Sequence, residues 1–313
     1  MNLALFFTFG ISAQLWKAMG LLDREKLIYE RMAGSETVNK VFWFTYGTDD
    51  KAIENDLHGN IEIVPMPQVF NSRIGMYLYS LLLPFVHGRI LRGVNILKTN
   101  QMSGSWTAVI AKILYRKALI VRTGFTWSLF FQNENTGTFK KHIICLIERM
   151  AYLFSDGIIV SSGNDMNYIK EKYTLKGMCK IISNYVETDI FRPGHKGKIP
   201  DSICFVGRLI EQKNLFSLLK SLVGTPYMLN IVGSGEQREA LMKFASENGI
   251  NVKFTDNIPN HNIPELLNVH EVFVLPSFYE GTPKVLLEAM ACGLPCIGAD
   301  VHGINDIISH NEN

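Results

Sequence analysis

The stretch FVLPSFYEGTPKVLLEAMACGLPCIG, residues 273–298, predicts a strand, a loop, a helix and a second strand in that order. The first strand should end at Pro276, where the loop SFYEG begins. Thr282 at the N-cap and Pro283 at the first helical position predict the helix start, because they satisfy or remove amide donors that would otherwise lack partners. Gly293 predicts the end of the helix.

Glu288 is the only charged side chain between Val285 and Ala299. A carboxylate in such apolar surroundings needs a partner, either a basic residue or the hydroxyl groups of a ligand. Glu280 lies eight residues upstream, and the helix start between the two carboxylates offers free amides to phosphate or sugar oxygens. The pattern favours a sugar-nucleotide site, although a solvated Glu280 and a lysine-paired Glu288 are the simpler interpretation of the two residues taken alone.

The string SFYEGTPKVLLEAMACGLPCIG resembles the signature of the retaining nucleotide-sugar glycosyltransferases of family 4, in which two glutamates are spaced E-x7-E in this context. The resemblance implies that Glu280 and the amides of Gly281 and Thr282 contact the donor sugar, with Pro283 in the same binding loop. It also implies that Glu288 accepts hydrogen bonds from ribose hydroxyls.

The size and cysteine usage indicate a two-domain cytoplasmic protein. A chain of 313 residues can form two cores of ordinary size, and MNLALFFTFG lacks the basic leader and cleavage site of a secretory signal. The cysteines are odd in number and scattered, which is typical of a reducing compartment. Cys292 and Cys296 have the spacing of half a zinc site, but no second Cys or His pair accompanies them, so no metal site is predicted.

Positive charge is concentrated in the first half of the chain. Residues 1–190 hold 21 Lys and Arg against 16 Asp and Glu, and the segment from Arg89 to Arg149 holds 10 basic residues against Glu134 and Glu148. This excess favours an anionic acceptor or an anionic membrane surface, while no recognised motif supports nucleic acid as a partner. The uncharged run Ile74–Gly88 is too short to span a bilayer, so it either packs on a sheet as an amphipathic helix or lies against a membrane.

The first half alternates short apolar strands with helices, which predicts a doubly wound α/β domain with a parallel sheet. The predicted strands are Leu3–Phe9, Val38–Tyr46, Ile61–Pro65, Asn95–Thr99, Ala118–Arg122, Gly157–Ser161 and Cys179–Ile182. The predicted helices are Ser12–Met32, Gly75–Arg92, Ser103–Tyr115, Phe139–Phe154 and Asp165–Tyr173.

A polar stretch from Asn184 to Pro200 interrupts this alternation. We therefore assign residues 1–186 to an acceptor-side domain, 187–200 to a linker and 201–313 to a nucleotide-sugar-binding domain, both domains being Rossmann-like. The strands predicted for the second domain are Ser202–Val206, Met228–Val232, Val252–Phe254, Val272–Leu275 and Pro295–Ile297.

An arrangement of two such domains that face a cleft is called GT-B. The segment ISNYVETDIFRP resembles the interdomain segment of the glycosyltransferase family, with Tyr185 in place of the usual Gly.

The segment SICFVGRLIEQKN places Gly207 and Arg208 at the end of a strand and Lys213 at the start of a helix. This spacing directs two cations to the edge of a parallel sheet where open α/β folds bind ligands. Arg can bind a diphosphate bidentately and Lys supplies a compact charge, although an isolated pair of this kind is usually solvated. GRLxxxK resembles the family's diphosphate motif, which implies that Arg208 and Lys213 bind the leaving diphosphate.

Three further positions are weaker candidates. Gly233 follows a strand in LNIVGSGEQREAL, but the third glycine of a dinucleotide fingerprint is missing, so a nicotinamide cofactor is not expected and the resemblance implies a backbone contact with the nucleotide. Gly10 at the end of the first strand either permits close approach of a ligand or serves the turn. Relatives often have a donor-binding His near Arg122; none is present here, so that role falls to Arg122 or to no residue.

The sequence thus predicts a family 4-like retaining glycosyltransferase that acts without a metal, using Glu280, Arg208 and Lys213. It would transfer a sugar from a nucleoside diphosphate sugar to a glycan, glycolipid or other hydroxyl acceptor in cell-surface biosynthesis. An epimerase or phosphorylase of the same architecture is the first alternative. The second is a binding module without turnover, because relatives typically continue beyond the equivalent of residues 303–308.

Overall fold

The computed structural model describes residues 1–130, 137–195, 197–310 and 312. The chain divides into two compact units, Met1–Ile182 and Ser183–Asn313. The division falls just before the polar stretch in which the domain boundary is predicted.

The first unit contains seven strands in one parallel sheet of order β3-β2-β1-β4-β5-β6-β7. The strands are β1 Asn2–Phe6, β2 Lys40–Phe44, β3 Ile61–Val64, β4 Ile96–Thr99, β5 Ala118–Thr123, β6 Gly157–Val160 and β7 Met178–Ile181. The helices are α1 Ala13–Ala18, α2 Leu22–Ala33, α3 Arg73–Val86, α4 Gly88–Arg92, α5 Ser105–Tyr115, α6 Trp127–Phe130, α7 Thr138–Phe154 and α8 Gly163–Lys172. All seven strands predicted for this half are confirmed, with ends that shift by a few residues.

Each face of the first sheet carries its own core. Leu5, Phe7 and Trp43 belong to a core that α1 and α2 cover. On the other face α5 packs between α3 and α7, over a core that includes Leu97 and Tyr152. No helix in the described part of the chain has both the length and the apolar composition needed to cross a bilayer.

Two of the predicted helices in the first unit are divided in the structure, and several strand ends shift. The segment predicted as one helix from Ser12 to Met32 is two helices, because Gly20 adopts a left-handed φ of +68° between them. The helix predicted for residues 75–92 likewise divides at His87, whose φ of −105° and ψ of 24° are not helical. Strand β1 ends at Phe6, four residues before Gly10, and β5 extends one residue past Arg122.

The second unit has a five-stranded parallel sheet of order β10-β9-β8-β11-β12 around a single core. Its strands are β8 Ser202–Val206, β9 Met228–Val232, β10 Val252–Thr255, β11 Val272–Leu275 and β12 Cys296–Gly298. Its helices are α9 Leu215–Ser221, α10 Arg238–Glu247, α11 Ile263–Asn268 and α12 Lys284–Ala291. The five predicted strands are confirmed, and β8, β9 and β11 are the most deeply buried of them.

The segment predicted as a linker, 187–200, packs on the second unit. Phe191 is part of the core of that unit. The Gly194 amide donates to Asn268 Oδ1 at 2.7 Å, and Lys198 Nζ donates to the carbonyl oxygen of His270 at 2.7 Å. This segment therefore has fixed partners in the domain that it precedes.

Asp50 is fully buried beside the start of α1. Its Oδ2 accepts a hydrogen bond from the Ala13 amide at 2.8 Å, and its Oδ1 accepts one from the Gln14 amide at 3.0 Å. A Cβ at Gly47 would lie 2.3 Å from this carboxylate, so the turn requires glycine. The buried Asp50 side chain thus accepts hydrogen bonds from amides shortly after Gly10 in the chain.

We expect Asp50→Asn to lower the free energy of unfolding of the first unit by about 1.5–3 kcal/mol, because a neutral amide replaces a charged acceptor of the two amide donors at the start of α1. Urea unfolding followed by tryptophan fluorescence measures this unit, since all four tryptophans lie within residues 1–182. Asp49→Asn is the matched control because Asp49 is exposed. Equal stability of the two variants would contradict the role assigned to Asp50.

Candidate functional site

The loops that follow β8, β9, β11 and β12 leave the same edge of the second sheet, because all of its strands are parallel. Strand β8 lies between β9 and β11, where the direction of the strand order reverses. Open α/β sheets bind ligands beyond the carboxyl ends of the strands at such a point. Most of the residues predicted as site residues lie on these loops: Gly207, Arg208, Lys213, Gly233, Glu280, Gly281, Thr282 and Pro283.

The structure joins Lys213 and Glu280 directly. Lys213 Nζ forms an ion pair with Glu280 Oε1, and Ser277 Oγ donates a hydrogen bond to the same oxygen at 2.6 Å. Lys213 is 9% exposed and Glu280 is 7% exposed, so the pair is largely removed from water. The sequence predicted the two side chains at one site but did not predict that they contact each other.

Hydrogen bonds from backbone and side-chain amides hold the loops after β8 and β11 together around this pair. The Phe278 amide donates to the Gln212 carbonyl at 2.9 Å, and Gln212 Nε2 donates to the Tyr279 carbonyl at 2.8 Å. Asn214 Nδ2 donates to the Pro276 carbonyl at 3.1 Å. The charged groups are therefore held on an ordered frame, which favours preorganised binding.

Arg208 precedes Lys213 by five residues and is exposed. The chain on either side of it is fixed, because the Gly207 amide donates to the Val232 carbonyl at 3.0 Å and the Leu209 amide donates to the Ser234 carbonyl at 2.8 Å. Among the described residues, none forms an ion pair or a side-chain hydrogen bond with Arg208. Its guanidinium group is thus available for bidentate binding of an anion.

Two glycines are required where neighbouring loops touch. Gly233 has a φ of +145°, and a Cβ there would lie 1.9 Å from the Gly207 carbonyl oxygen. Gly303 has a φ of +85°, and a Cβ there would lie 1.9 Å from the Gly281 carbonyl oxygen. The loop contact explains why position 233 is glycine, whether or not its backbone also binds a ligand.

The predicted N-cap of α12 was wrong. Pro283, with φ −69° and ψ 107°, is the N-cap, and the helix begins at Lys284. The extended backbone at Pro283 places Thr282 one residue too early to cap the helix. In the described structure Thr282 Oγ1 and His302 Nε2 are buried without a hydrogen-bond partner. The backbone carbonyl of His302 accepts a hydrogen bond from the Glu280 amide. Buried polar atoms without a partner are uncommon in folded proteins, and these two lie in the loops that follow β11 and β12.

Glu288 lies one turn into α12 and is 5% exposed, as its apolar sequence context predicts. Burial, with a further contribution from the charge of Glu288, raises the pKa of the Cys292 thiol to about 11. The Glu288 carboxylate thus lies in a largely dry environment close to the helix start.

Gly10 and Arg122 belong to the first unit. Gly10 has a φ of +74°, with no atom within 4 Å of a Cβ built there, and the turn alone accounts for glycine. The Arg122 amide donates to Thr99 Oγ1 at 3.0 Å. Burial, and then the charge of Arg122, lowers the pKa of Lys98 to about 7.

The sequence interpretation missed Ser277 and His302. Ser277 stands three residues before Glu280 in the same loop. A hydroxyl so close in sequence to a carboxylate that needs a partner could have been predicted to donate to it. His302 had no such signal, because its place depends on the close approach of Gly303 to Gly281.

We expect the Lys213 and Glu280 side chains to be energetically coupled. In a double-mutant cycle of Lys213→Met and Glu280→Gln, each single substitution leaves a largely buried charge without its partner, whereas the double variant removes both charges. The interaction energy from urea unfolding should therefore be about 1–3 kcal/mol. Additivity of the two single effects would show that the ion pair does not contribute to stability.

Residues 186–313 match the family described as Glycosyl transferases group 1. The UDP-Gal:alpha-D-GlcNAc-diphosphoundecaprenol alpha-1,3-galactosyltransferase of Escherichia coli is 31% identical over 163 residues, which cover 45% of this chain and 42% of that enzyme. The O-antigen biosynthesis glycosyltransferase WbnH of Escherichia coli is 29% identical over 229 residues, which cover 71% of this chain and 64% of the relative. The chain therefore spans less than two thirds of the length of these relatives.

Solved structures of glycosyltransferases share the architecture of the chain. Sucrose-phosphate synthase from Thermosynechococcus elongatus has a TM-score of 0.77 at 19% identity, with 97% of this chain and 82% of the synthase covered. Anabaena HepE, solved in complex with UDP and glucose, has a TM-score of 0.73 at 18% identity, with coverage of 99% and 83%. The chain accordingly has the GT-B fold, and its residues 186–313 match the glycosyl transferases group 1 family.

Proposed function

We propose that this protein transfers a sugar from a nucleoside diphosphate sugar to a hydroxyl group of an acceptor. The observation that carries the proposal is the gathering of Arg208, Lys213 and Glu280 at the carboxyl edge of the second sheet, within the group 1 domain. Two cations and an oriented carboxylate at that edge suit a substrate that combines a diphosphate with a sugar.

Arg208 and Lys213 would neutralise the charge that develops on the leaving diphosphate. Arg208 is free to bind bidentately, and Lys213 is already positioned by Glu280 and by its buried surroundings. Glu280 Oε1 is engaged by Lys213 and Ser277, so its other carboxylate oxygen is the acceptor that we assign to hydroxyl groups of the sugar.

The remaining residues would place the donor. We assign the ribose hydroxyls to Glu288, because its carboxylate is buried near the start of α12. The sugar would contact the Gly281 and Thr282 amides, with Pro283 shaping the loop. Backbone groups at Gly207 and Gly233 would border the nucleotide, where their two loops touch.

We propose that the transfer retains the anomeric configuration. The acceptor hydroxyl would approach the face of the sugar from which the diphosphate departs, and an oxygen of the leaving phosphate would take its proton. No metal is required in this proposal, because Arg208, Lys213 and the amides before α12 supply the positive potential at the phosphates. Gly10 and Arg122 lie in the first unit, and their contact with the donor stays a prediction.

The acceptor that we propose is a growing glycan or glycolipid of the cell surface. Two relatives support this class, since the name of one states a diphosphoundecaprenol-linked acceptor and the name of the other states O-antigen biosynthesis. A lipid-linked acceptor is presented at a membrane surface, so we place the reaction in the cytoplasm at the inner face of the membrane.

A binding screen followed by product analysis tests this function. Thermal shift against UDP, GDP, ADP and their sugars should identify one nucleotide that stabilises the chain, since a ligand that binds only the folded state raises the melting temperature. Incubation with the matching sugar nucleotide should then yield a glycosylated product only when an acceptor is added. Epimerised donor without acceptor, phosphate-dependent cleavage, or binding without turnover would each contradict the proposal.

Arg208→Ala should weaken binding of the nucleoside diphosphate about tenfold or more while leaving the nucleoside nearly unchanged, because hydrogen bonds to charged groups contribute about 1.5–3 kcal/mol. Isothermal titration with both ligands measures the difference. Lys220→Ala is the control, since Lys220 is an exposed lysine on α9 of the same unit. Equal losses for the two ligands would exclude a diphosphate contact.

Glu288→Gln should weaken both the nucleoside and the nucleoside diphosphate by about 1.5–3 kcal/mol, because the charge that strengthens hydrogen bonds from the ribose is removed. Glu247→Gln, at an exposed position of α10, is the control. If titration shows unchanged affinity in a variant with a native circular dichroism spectrum, Glu288 does not hold the ribose.

A further inference from the structure

Helix α3 exposes an apolar stripe to solvent. Tyr79 and Leu83 face the core, whereas apolar residues at spacings of three and four cover the opposite side of the helix. Ile74 is 74% exposed and Phe85 is 59% exposed. Helices that are apolar on all sides are normally buried, so this outer side should have a partner. The exposed stripe consists of Ile74, Tyr77, Leu78, Leu81, Leu82, Phe85 and Val86.

Helices α5 and α7 extend this apolar surface. Helix α5 packs between α3 and α7, and all three contribute to the core on one face of the first sheet. The side chains that point away from that core therefore form the outer side of one helical layer. Phe139 at the start of α7 is 80% exposed. The exposed apolar residues of these two helices are Ile113, Leu114, Phe139, Ile143, Leu146, Met150 and Leu153.

The charges on this layer are almost all positive. Helices α3, α4 and α7, together with α5 and the two residues after it, contain nine basic residues and a single carboxylate, Glu148. Glu148 is fully buried, where it accepts hydrogen bonds from the Ser128 amide at 2.9 Å and from Tyr173 Oη at 2.5 Å. Glu134 lies outside the described residues. The basic residues are Arg73, Arg89, Arg92, Lys112, Arg116, Lys117, Lys140, Lys141 and Arg149.

We propose that the outer side of α3, α5 and α7, here called the three-helix surface, binds an anionic lipid bilayer. The exposed apolar side chains would enter the boundary between headgroups and acyl chains, and the surrounding basic residues would contact anionic headgroups. The described part of these helices carries no exposed carboxylate, and the Asp156 carboxylate just after α7 is paired with Lys112. The other basic residues supply the charge complementarity to such lipids.

The position of the surface within the first unit suits a lipid-linked acceptor. The Tyr77 ring lies 4.6 Å from the ring of Phe9, which is in the loop after β1. The N-terminal part of α3 therefore reaches the edge at which the strands of the first sheet end. This location deepens the proposed function, since an acceptor held in the bilayer would meet the unit at its ligand-binding edge.

Vesicle co-sedimentation of the full chain, without nucleotide, tests the surface. The chain should sediment with vesicles of equal parts phosphatidylcholine and phosphatidylglycerol at low salt, and binding should fall as salt rises because exposed charges are screened over about 8 Å at physiological ionic strength. Arg89→Gln and Arg116→Gln should each lower the partition coefficient about fivefold. The double variant Leu81→Gln, Leu146→Gln should lower it further, because two inserted side chains become polar.

Met242→Gln is the matched control, since Met242 is 45% exposed on α10 of the second unit, and it should bind vesicles as the unmodified chain does. Absence of vesicle binding at low salt would overturn the proposal. A dimer in analytical ultracentrifugation that the Leu81, Leu146 variant abolishes would overturn it in favour of a second copy of the chain. The vesicle test contains no sugar nucleotide. Failure of nucleotide binding would therefore refute the proposed function without changing the result of vesicle binding.

Discussion

The ion pair between Lys213 and Glu280 is the interaction on which the functional edge of the second unit depends. Two charges so largely removed from water are tolerated only when each satisfies the other and hydrogen bonds complete the arrangement. Ser277 provides one such bond. The side-chain amides of Gln212 and Asn214 donate to backbone carbonyls and fix the two loops that carry the pair. Folding therefore determines where a cation and a carboxylate stand before any substrate arrives, and this kind of preorganisation lowers the cost of stabilising charge during a reaction.

Close backbone packing is the second constraint on this edge. Gly233 against Gly207, and Gly303 against Gly281, bring loops from four strands within contact distance at positions where a side chain has no room. The same packing leaves Thr282 Oγ1 and His302 Nε2 buried without partners in the described structure. An edge that is rigid in its backbone and incomplete in its polar contacts is what a ligand site requires, since the backbone resists collapse while the polar atoms gain from binding.

The sequence was sufficient for what local patterns determine. All twelve strands follow from short apolar segments, and the burial of Glu288 follows from its neighbours. Features that depend on backbone angles or on contacts distant in sequence were missed or misplaced. Gly20 divides a predicted helix through a left-handed φ, and Pro283 takes the cap position that Thr282 was predicted to hold. The Lys213–Glu280 contact spans 67 residues, so only the order of the strands brings the two side chains together.

The two units use positive charge in different ways, and the difference bears on their roles. Lys213 is held rigidly in a largely dry site, where a single cation interacts strongly with a small anion and salt screens little. Arg89 on α4 and Arg116 at the end of α5 are exposed, so each contributes weakly and their effect depends on number. Charge of the first kind selects one molecule, whereas charge of the second kind concentrates a protein at a surface. The proposed transfer from a soluble donor to a membrane-held acceptor would use both, and the sequence separates them into the two halves of the chain.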